Sequence, residues 1–131
     1  MTQTIRNLSY LVHDYDETIV FFTNRLGFTL ISDFDLGDGK RWVQLQPKGA
    51  KEFALALTFA ETPAQQQAVG KQAGDGVLMI LQTDNFNRDY QEMQAAGVAF
   101  NEAPRHEVYG TVAIFSDLYG NLWDLLEPTA Q

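Results

Sequence analysis

One pattern occurs twice along the chain and limits the folds that the chain can adopt. Each copy has an apolar alternating segment, an aspartate that can cap a helix, and a glycine thirteen residues later, at Asp14 to Gly27 and at Asp84 to Gly97. Capping aspartates and terminal glycines are common helix boundaries, and alternation is typical of strands. The pattern is a weak internal repeat, and its natural explanation is duplication of one β-α-β-β-β module.

The first copy predicts a helix between the first two of four strands. The helix, of about ten residues, begins after Asp14 or Asp16, and residues 35–39 are rich in turn-forming residue types. In the last strand, large apolar residues alternate with Ala54, Ala56 and Thr58, so one face is bulky and the other is small. The four strands are expected at residues 5–12, 28–34, 41–46 and 53–59.

The second copy follows a connector rich in alanine, glutamine and glycine. A short helix is expected after Pro63, and a second long helix is expected after Asp84. Residues 103–110 are expected to form a loop and residues 117–121 a turn. The strands are expected at residues 77–83, 98–101, 111–116 and 122–127.

These elements predict a single α+β domain over residues 1–131. Its first module spans residues 1–60, the connector 61–76 and the second module 77–131. Each module is expected to be a curved mixed sheet with a helix on its outer face. The inner faces are small or polar, which is the pattern expected of a cup. The inward-facing residues include Asn7, Ser9, Gln44, Ala54 and Ala56.

Composition excludes several classes of function. The chain has no cysteine, so disulfides, thiolate catalysis and cysteine-bound metals are excluded, and two histidines leave little for a histidine-built metal site. A net charge of −8 argues against nucleic acid or an anionic membrane as partner. No apolar run is long enough to span a bilayer and no segment resembles a signal peptide, so we expect a cytoplasmic protein.

A carboxylate interrupts the most apolar hairpin of the chain. Asp124 lies between Trp123 and Leu125, and a charge in such a strand is either paired or used because burying it alone is costly. In the functional interpretation, Asp124 is a general base or the counter-charge to a ligand. In the alternative interpretation, it forms a salt bridge with Arg41 or Arg105.

The order of these segments resembles the vicinal oxygen chelate superfamily, which comprises glyoxalase I, bleomycin-resistance proteins, extradiol dioxygenases and their relatives. The resemblance covers nearly the whole chain. The family's usual Asp-Pro-Asp-Gly-Asn turn is altered to Asp-Leu-Tyr-Gly-Asn at residues 117–121. The segments that resemble the family are VHDYDETIVFFTNRLGF (12–28), DGKRWVQLQPKG (38–49), TDNFNRDYQEMQAAGV (83–98) and YGTVAIFSDLYGNLWDLLEP (109–128).

The resemblance implies where a metal would be bound. The family's metalloenzymes place ligands on the first and last strand of each module, which here correspond to Asn7, Ala56, Leu78 (or Val77) and Asp124. Alanine, leucine and valine have no donor atom, whereas a catalytic metal normally has about three protein ligands. We therefore expect no metal ligands, no divalent metal and no other cofactor. The resemblance also allows a further interpretation of Asp124, as a relic of the ligand position.

The resemblance further implies a small-molecule-binding protein of the glyoxalase/bleomycin-resistance type and a homodimer. The alternatives are an enzyme of the same superfamily (a lyase, isomerase or dioxygenase), with Asp124 as the best catalytic candidate, and a subunit or sensor whose cup is vestigial. The expected ligand-binding residues are Asn7, Trp42, Gln44, Ala56, Leu78, His106, Tyr109 and Asp124.

Overall fold

The structure, a computed structural model, describes residues 1–130 and divides into two compact units, Met1–Val69 and the chain from Gly70 onward. The first unit contains a four-stranded sheet in the order β1-β4-β3-β2, in which β1 and β4 are parallel. The predicted β-α-β-β-β order of this unit is confirmed, as is the short helix after Pro63. Its elements are β1 (Asn7–Val12), α1 (Tyr15–Asn24), β2 (Thr29–Gly37), β3 (Lys40–Gln46), β4 (Ala54–Phe59) and α2 (Pro63–Ala68).

Helix α1 covers the bulky face of the first sheet. Asp14 is its N-cap, with the backbone N–H of Asp16 donating to the Asp14 side chain at 3.2 Å. Tyr10 of β1 and Phe22 of α1 are both fully buried, and their rings meet edge to face at 5.3 Å. The helix ends at Asn24, three residues before Gly27.

The hairpin between β2 and β3 corrects one prediction. Residues 35–37, expected in a turn, continue strand β2, and only Asp38 and Gly39 form the turn. Both have positive φ, 57° and 77°. Two-residue turns of this kind match the right-handed twist of the flanking strands, which is why two residues suffice.

The second unit contains a five-stranded sheet in the order β5-β9-β8-β6, with β7 also paired to β8. The short strand β7 lies in the segment predicted to be a loop, so that prediction is wrong at these residues. Glu107 pairs with Gly110, and residues 108–109 form the tight turn that brings β7 back along β8. The elements are β5 (Val77–Gln82), α3 (Phe86–Ala95), β6 (Ala99–Phe100), β7 (Arg105–Glu107), β8 (Gly110–Ser116) and β9 (Leu122–Pro128).

Helix α3 begins one residue later than the repeat predicts. Asn85, not Asp84, is its N-cap and accepts a hydrogen bond from the backbone N–H of Arg88 at 3.1 Å. A capping side chain reaches the N–H two or three residues ahead, and Asp84 instead pairs with the Arg88 guanidinium at 2.8 Å. Strand β9 also binds the start of α3, because the Glu127 carboxylate accepts a hydrogen bond from the backbone N–H of Phe86 at 2.7 Å.

Among the helices of residues 1–130, none combines the length and the apolar character needed to cross a membrane.

Candidate functional site

Polar and small side chains share one face of the first sheet. Ser9 on β1 is paired with Ala56 on β4, Ala56 with Gln44 on β3, and Gln44 with Ser32 on β2. Asn7 lies two residues before Ser9 and therefore points to the same face. The structure thus brings together three of the predicted site residues, Asn7, Gln44 and Ala56, and adds Ser32.

Three of these side chains form a continuous hydrogen-bonded row, which we call the amide row (Asn7, Gln44 and Ser32). The Asn7 amide nitrogen donates to Gln44 Oε1 at 3.0 Å and to the carbonyl oxygen of Ala54 at 3.1 Å. The Gln44 amide nitrogen donates to Ser32 Oγ at 3.0 Å. Every link joins neutral groups, so the row is polar but carries no charge.

The alanines of β4 make the amide row possible. Ala54 and Ala56 lie between β1 and β3, and a longer side chain at either position would stand between Asn7 and Gln44. Gln44 is 4% exposed, whereas Asn7 and Ser32 at the two ends are half-buried. The centre of the row is therefore withdrawn from solvent and its ends are accessible.

An aromatic pair continues this face beyond Ser32 and Gln44. Trp42 is paired with Phe34, one step of the alternation away from Gln44 and Ser32. Trp42 is half-buried, and Phe34 is 61% exposed although it is apolar. The predicted placement of Trp42 and Gln44 on one side of β3 agrees with this register.

Asp124 lies in an apolar row of the second sheet. Its strand neighbours are Ile80 on β5 and Ile114 on β8, and Ile80 is 62% exposed. Trp123 and Leu125 on the opposite face of β9 are buried. Asp124 is half-buried, and its carboxylate forms no hydrogen bond or salt bridge with any residue of the described range 1–130.

The arginines expected as alternative partners of Asp124 are bound elsewhere. Arg41 pairs with Asp33 at 2.7 Å and with Asp16 at 2.8 Å, and both contacts lie in the first unit. Arg105 binds Glu102 at 2.7 Å, so its charge reaches Asp124 only through space.

Burial raises the pKa of Asp124 above its ordinary value. The charge of Arg105 opposes this rise, and the charge of Glu102 adds to it. Arg105 pairs with Glu102 and also with Glu107, and the charge of Glu102 offsets part of its attraction for Asp124. Asp124 therefore holds a proton, or a proton-donating ligand group, more readily than an exposed aspartate does.

The remaining predicted residues lie on the second unit. Leu78 occupies the point in β5 where the register with β9 shifts by one residue. His106 lies on strand β7 rather than in a loop, is exposed, and has its Nδ1 3.2 Å from Thr111 Oγ1. Tyr109, in the turn after β7, is 53% exposed, and its hydroxyl group helps to raise the pKa of the Arg105 guanidinium.

A hollow of about 470 Å³ beside the β2–β3 hairpin contains none of the predicted site residues. Two of the three aspartates that line it are already engaged: Asp33 binds Arg41, and Asp35 accepts from the backbone N–H of Gly37 at 2.8 Å. Over residues 1–130, no three His, Cys, Asp or Glu side chains lie close enough together to hold a metal ion.

Sequence reasoning missed Ser32 and Glu102. The register between β2 and β3 shifts between Leu30 and Ser32, and this irregularity brings Ser32 opposite Gln44. Glu102 fills the interval between β6 and β7, where its carboxylate accepts from the backbone N–H of Ile114 at 3.0 Å. Alternation alone reveals neither feature, although the nearby Arg105 is a signal for an acidic partner.

Known proteins share this architecture. An uncharacterized protein of Shewanella frigidimarina is 47% identical over 128 residues, which cover 97% of this chain and 95% of that protein. The crystal structure of TnmS3, an antibiotic binding protein from Streptomyces sp. CB03234, matches with a TM-score of 0.80 and 30% identity over 98% of both chains. That of UcmS2 matches with a TM-score of 0.83 and 26% identity, over 96% of this chain and 98% of its own.

The resemblance inferred from the segment order and the predicted α+β fold are both confirmed. Residues 4–125, nearly the whole described range, match the model of one family. The chain belongs to the Glyoxalase/Bleomycin resistance protein/Dioxygenase superfamily.

Proposed function

We propose that the chain binds a small molecule without a metal ion, in the manner of the bleomycin-resistance members of its superfamily. The amide row is the observation that carries this proposal. It places mutually hydrogen-bonded polar groups, with a buried centre and accessible ends, on a sheet face beside the aromatic pair Trp42 and Phe34. A few fixed polar groups next to aromatic side chains are typical of small-molecule sites.

The chemistry of the residues at the family's ligand positions supports metal independence. Ala56 and Leu78 have no donor atom, and the Asn7 amide nitrogen is engaged by Gln44 and Ala54. An amide oxygen and the carboxylate of Asp124 are all that these positions offer, which does not fit a site with three good ligands.

The similarity to TnmS3 supports a binding function, since that protein is an antibiotic binding protein and shares 30% identity with this chain. We propose by analogy that this chain sequesters a drug or metabolite. Because the chain has a net charge of −8, a neutral or cationic ligand suits it better than an anion.

A second candidate function is catalytic, and Asp124 favours it. A half-buried carboxylate with a raised pKa and no salt bridge can act as a general base as well as a counter-charge. In the catalytic version, Asp124 would accept a proton from a bound metabolite in a lyase or isomerase reaction. The two versions differ in one measurement, since only the enzyme exchanges a substrate C–H proton with deuterated water.

The test of binding is a screen of drug-like and metabolite compounds by thermal melting, followed by titration through tryptophan fluorescence. Gln44→Met keeps the side-chain volume but breaks the amide row, and it should weaken binding about tenfold. Gln67→Met, on an exposed position of α2, is the matched control and should bind normally. If Gln44→Met lowers the stability but leaves the affinity unchanged, the amide row stabilises the fold and takes no part in binding.

Asp124→Asn is the corresponding test in the second unit. If Asp124 serves the ligand, its loss should weaken binding by about 1–3 kcal/mol, the scale of a hydrogen bond to a charged group. Asp75→Asn removes one negative charge from an exposed position and controls for net charge.

Metal analysis tests the other half of the proposal. Protein purified without chelator should contain well under one equivalent of zinc, nickel, manganese or iron per chain, and EDTA should leave its melting temperature unchanged. Stoichiometric metal, or a large drop with EDTA, would overturn metal independence.

We further propose a cytoplasmic homodimer. Exposed apolar side chains such as Phe34, Leu36 and Ile80 are 61%, 64% and 62% exposed, and a second copy of the chain would cover surfaces of this kind. Light scattering should give about twice the mass of one chain, and a monomer at micromolar concentration would contradict it.

A further inference from the structure

We infer that the amide row is directional: it presents a hydrogen-bond acceptor at Asn7 and a hydrogen-bond donor at Ser32. It therefore selects a neutral aromatic ligand with a hydroxyl or N–H group at one end and a carbonyl group at the other. This inference rests on the proposed binding function and names the ligand chemistry of the same face.

The direction originates at a backbone carbonyl. The oxygen of Ala54 can only accept a hydrogen bond, so the side-chain group 3.1 Å from it must be the amide nitrogen of Asn7. The amide oxygen, Asn7 Oδ1, must therefore occupy the other position of the same side chain. Asn7 Oδ1 accepts no hydrogen bond from residues 1–130 and is not buried, so it is available to a ligand that donates.

The same constraint passes through Gln44 to Ser32. The Asn7 nitrogen donates at 3.0 Å, so the atom of Gln44 that faces it must be Oε1, and the Gln44 nitrogen must face Ser32. Ser32 Oγ accepts that bond at 3.0 Å, which leaves its own O–H free to donate elsewhere. One carbonyl on β4 thus sets the polarity of a hydroxyl on β2, two strands away.

Burial leaves only the two ends of the row for recognition. Gln44 is 4% exposed, so it positions its neighbours rather than contacting a ligand, while Asn7 and Ser32 are half-buried. The row contains no charged group, which matches a neutral ligand. Trp42 and Phe34 continue the face beside Ser32, and aromatic walls favour a flat ring system.

Three matched probes test the direction. The first is a naphthalene with a hydroxyl group on one ring and an acetyl group on the other. The second is its methyl ether, which cannot donate, and the third has ethyl in place of acetyl, which removes the carbonyl acceptor. The wild-type chain should bind the first probe about three- to tenfold more tightly than either of the others, the size of one hydrogen bond.

Two variants assign the effect to the row. Ser32→Ala removes the donor, so it should lose the preference for acetyl over ethyl and keep the preference for hydroxyl over methoxy. Thr23→Ala deletes a hydroxyl on α1, where it donates to the carbonyl of Ile19, and should keep both preferences.

Asn7→Asp should reverse the row without touching Ser32. A carboxylate only accepts, so residue 7 would lose its bond to the carbonyl oxygen of Ala54 and turn away from it, while Gln44 would turn its nitrogen towards residue 7 and its oxygen towards Ser32. Ser32 would then donate to Gln44 and present lone pairs to the ligand, and the preference for acetyl over ethyl should disappear. If this variant fails to fold, the preference of Ser32→Ala between the acetyl and ethyl probes is enough to test the direction of the row.

Each outcome distinguishes the inference from the function on which it rests. Equal wild-type affinity for all three probes, or an unchanged acetyl preference in Ser32→Ala, overturns the direction while binding stands. No wild-type binding of any probe overturns the ligand class, and the proposed function is then decided separately by the compound screen.

Discussion

The indole N–H of Trp123 donates to the carboxylate of Asp117 at 3.0 Å, and both side chains are almost fully buried. The same carboxylate accepts from the backbone N–H groups of Tyr119 and Asn121, each at 3.0 Å. A single side chain thus closes the β8–β9 turn and ties it to strand β9, one residue before Asp124.

Asp117→Ala should destabilise the fold strongly. It removes the carboxylate that accepts from the Trp123 indole and from the Asn121 backbone, so we expect a loss of about 3 kcal/mol in the free energy of unfolding. Urea unfolding followed by tryptophan fluorescence measures it. The matched control is Asp35→Ala, because Asp35 is an exposed aspartate near the end of β2 that accepts a hydrogen bond from the backbone N–H of Gly37; its loss should cost under about 1 kcal/mol. Equal losses in both variants would contradict the role given to Asp117.

Asp124→Asn should raise the free energy of unfolding at neutral pH. Burial raises the pKa of Asp124 above its ordinary value of 3.8, so the folded chain binds this proton more tightly than the unfolded chain does. The wild-type chain therefore loses stability as pH rises from 3.8 through the raised pKa, and the loss persists at higher pH.

Asparagine does not ionise, so Asp124→Asn should remove this part of the pH dependence and match wild type only in acid. Urea unfolding at several pH values, with Asp75→Asn as the control for net charge, measures the difference. A variant that is less stable than wild type at neutral pH would show that Asp124 is paired in solution.

The two neighbours of Asp124 should shift its pKa in opposite directions. Arg105 lowers the pKa of Asp124 and Glu102 raises it, so Arg105→Gln should raise that pKa further and Glu102→Gln should lower it. Carbon-13 NMR of the carboxyl group reads the titration directly. The control is Arg88→Gln, which should leave the pKa of Asp124 unchanged because the Arg88 guanidinium is bound to Asp84 and Asp89. Shifts of the same sign in both test variants would rule out the through-space account.

Gly70→Ala should destabilise the second unit by more than the strain of a positive φ at this position alone. A Cβ at Gly70 would lie 2.1 Å from the carbonyl oxygen of Tyr119, and its φ is +77°. We expect a cost of about 3 kcal/mol from the clash and the backbone strain together. Gly74 also has positive φ, +64°, but its Cβ would meet nothing within 4 Å. Gly74→Ala should therefore cost about 1 kcal/mol by thermal melting, and equal costs would exclude the contact with Tyr119.

The fold was predictable from the sequence where local signals and alternation agree. Asp14 and Gly27 bracket a ten-residue helix as expected, because capping and positive φ are local properties of those residues. Strand β7 was not predictable, because a segment of three residues is too short for its intrinsic strand propensity to be recognised. It is a strand only because it pairs with β8. The shift from Asp84 to Asn85 has the same origin, since two capping residues stand side by side and the structure selects one.

The candidate site was predictable only in part. Residue type and alternation placed Asn7, Gln44 and Ala56 on one face, and the register agrees. That Asn7 and Gln44 bond to each other, and that Ser32 receives the next bond, depends on distances across the four strands of the first sheet and on an irregularity in β2. Such relations lie outside any single segment of sequence.

The parallel pairing of β1 with β4 has a consequence for the order in which the chain can fold. Asn7 and Ala54, which pair across these strands, are 47 residues apart, so β1 emerges from the ribosome long before its partner exists. Until β4 is synthesised, the polar edge of β1 has only water or a chaperone to satisfy it. Strands β5 and β9 repeat the situation in the second unit. Each unit is therefore completed by its last long strand, and contacts of this sequence separation make folding slow compared with a helical protein of the same size.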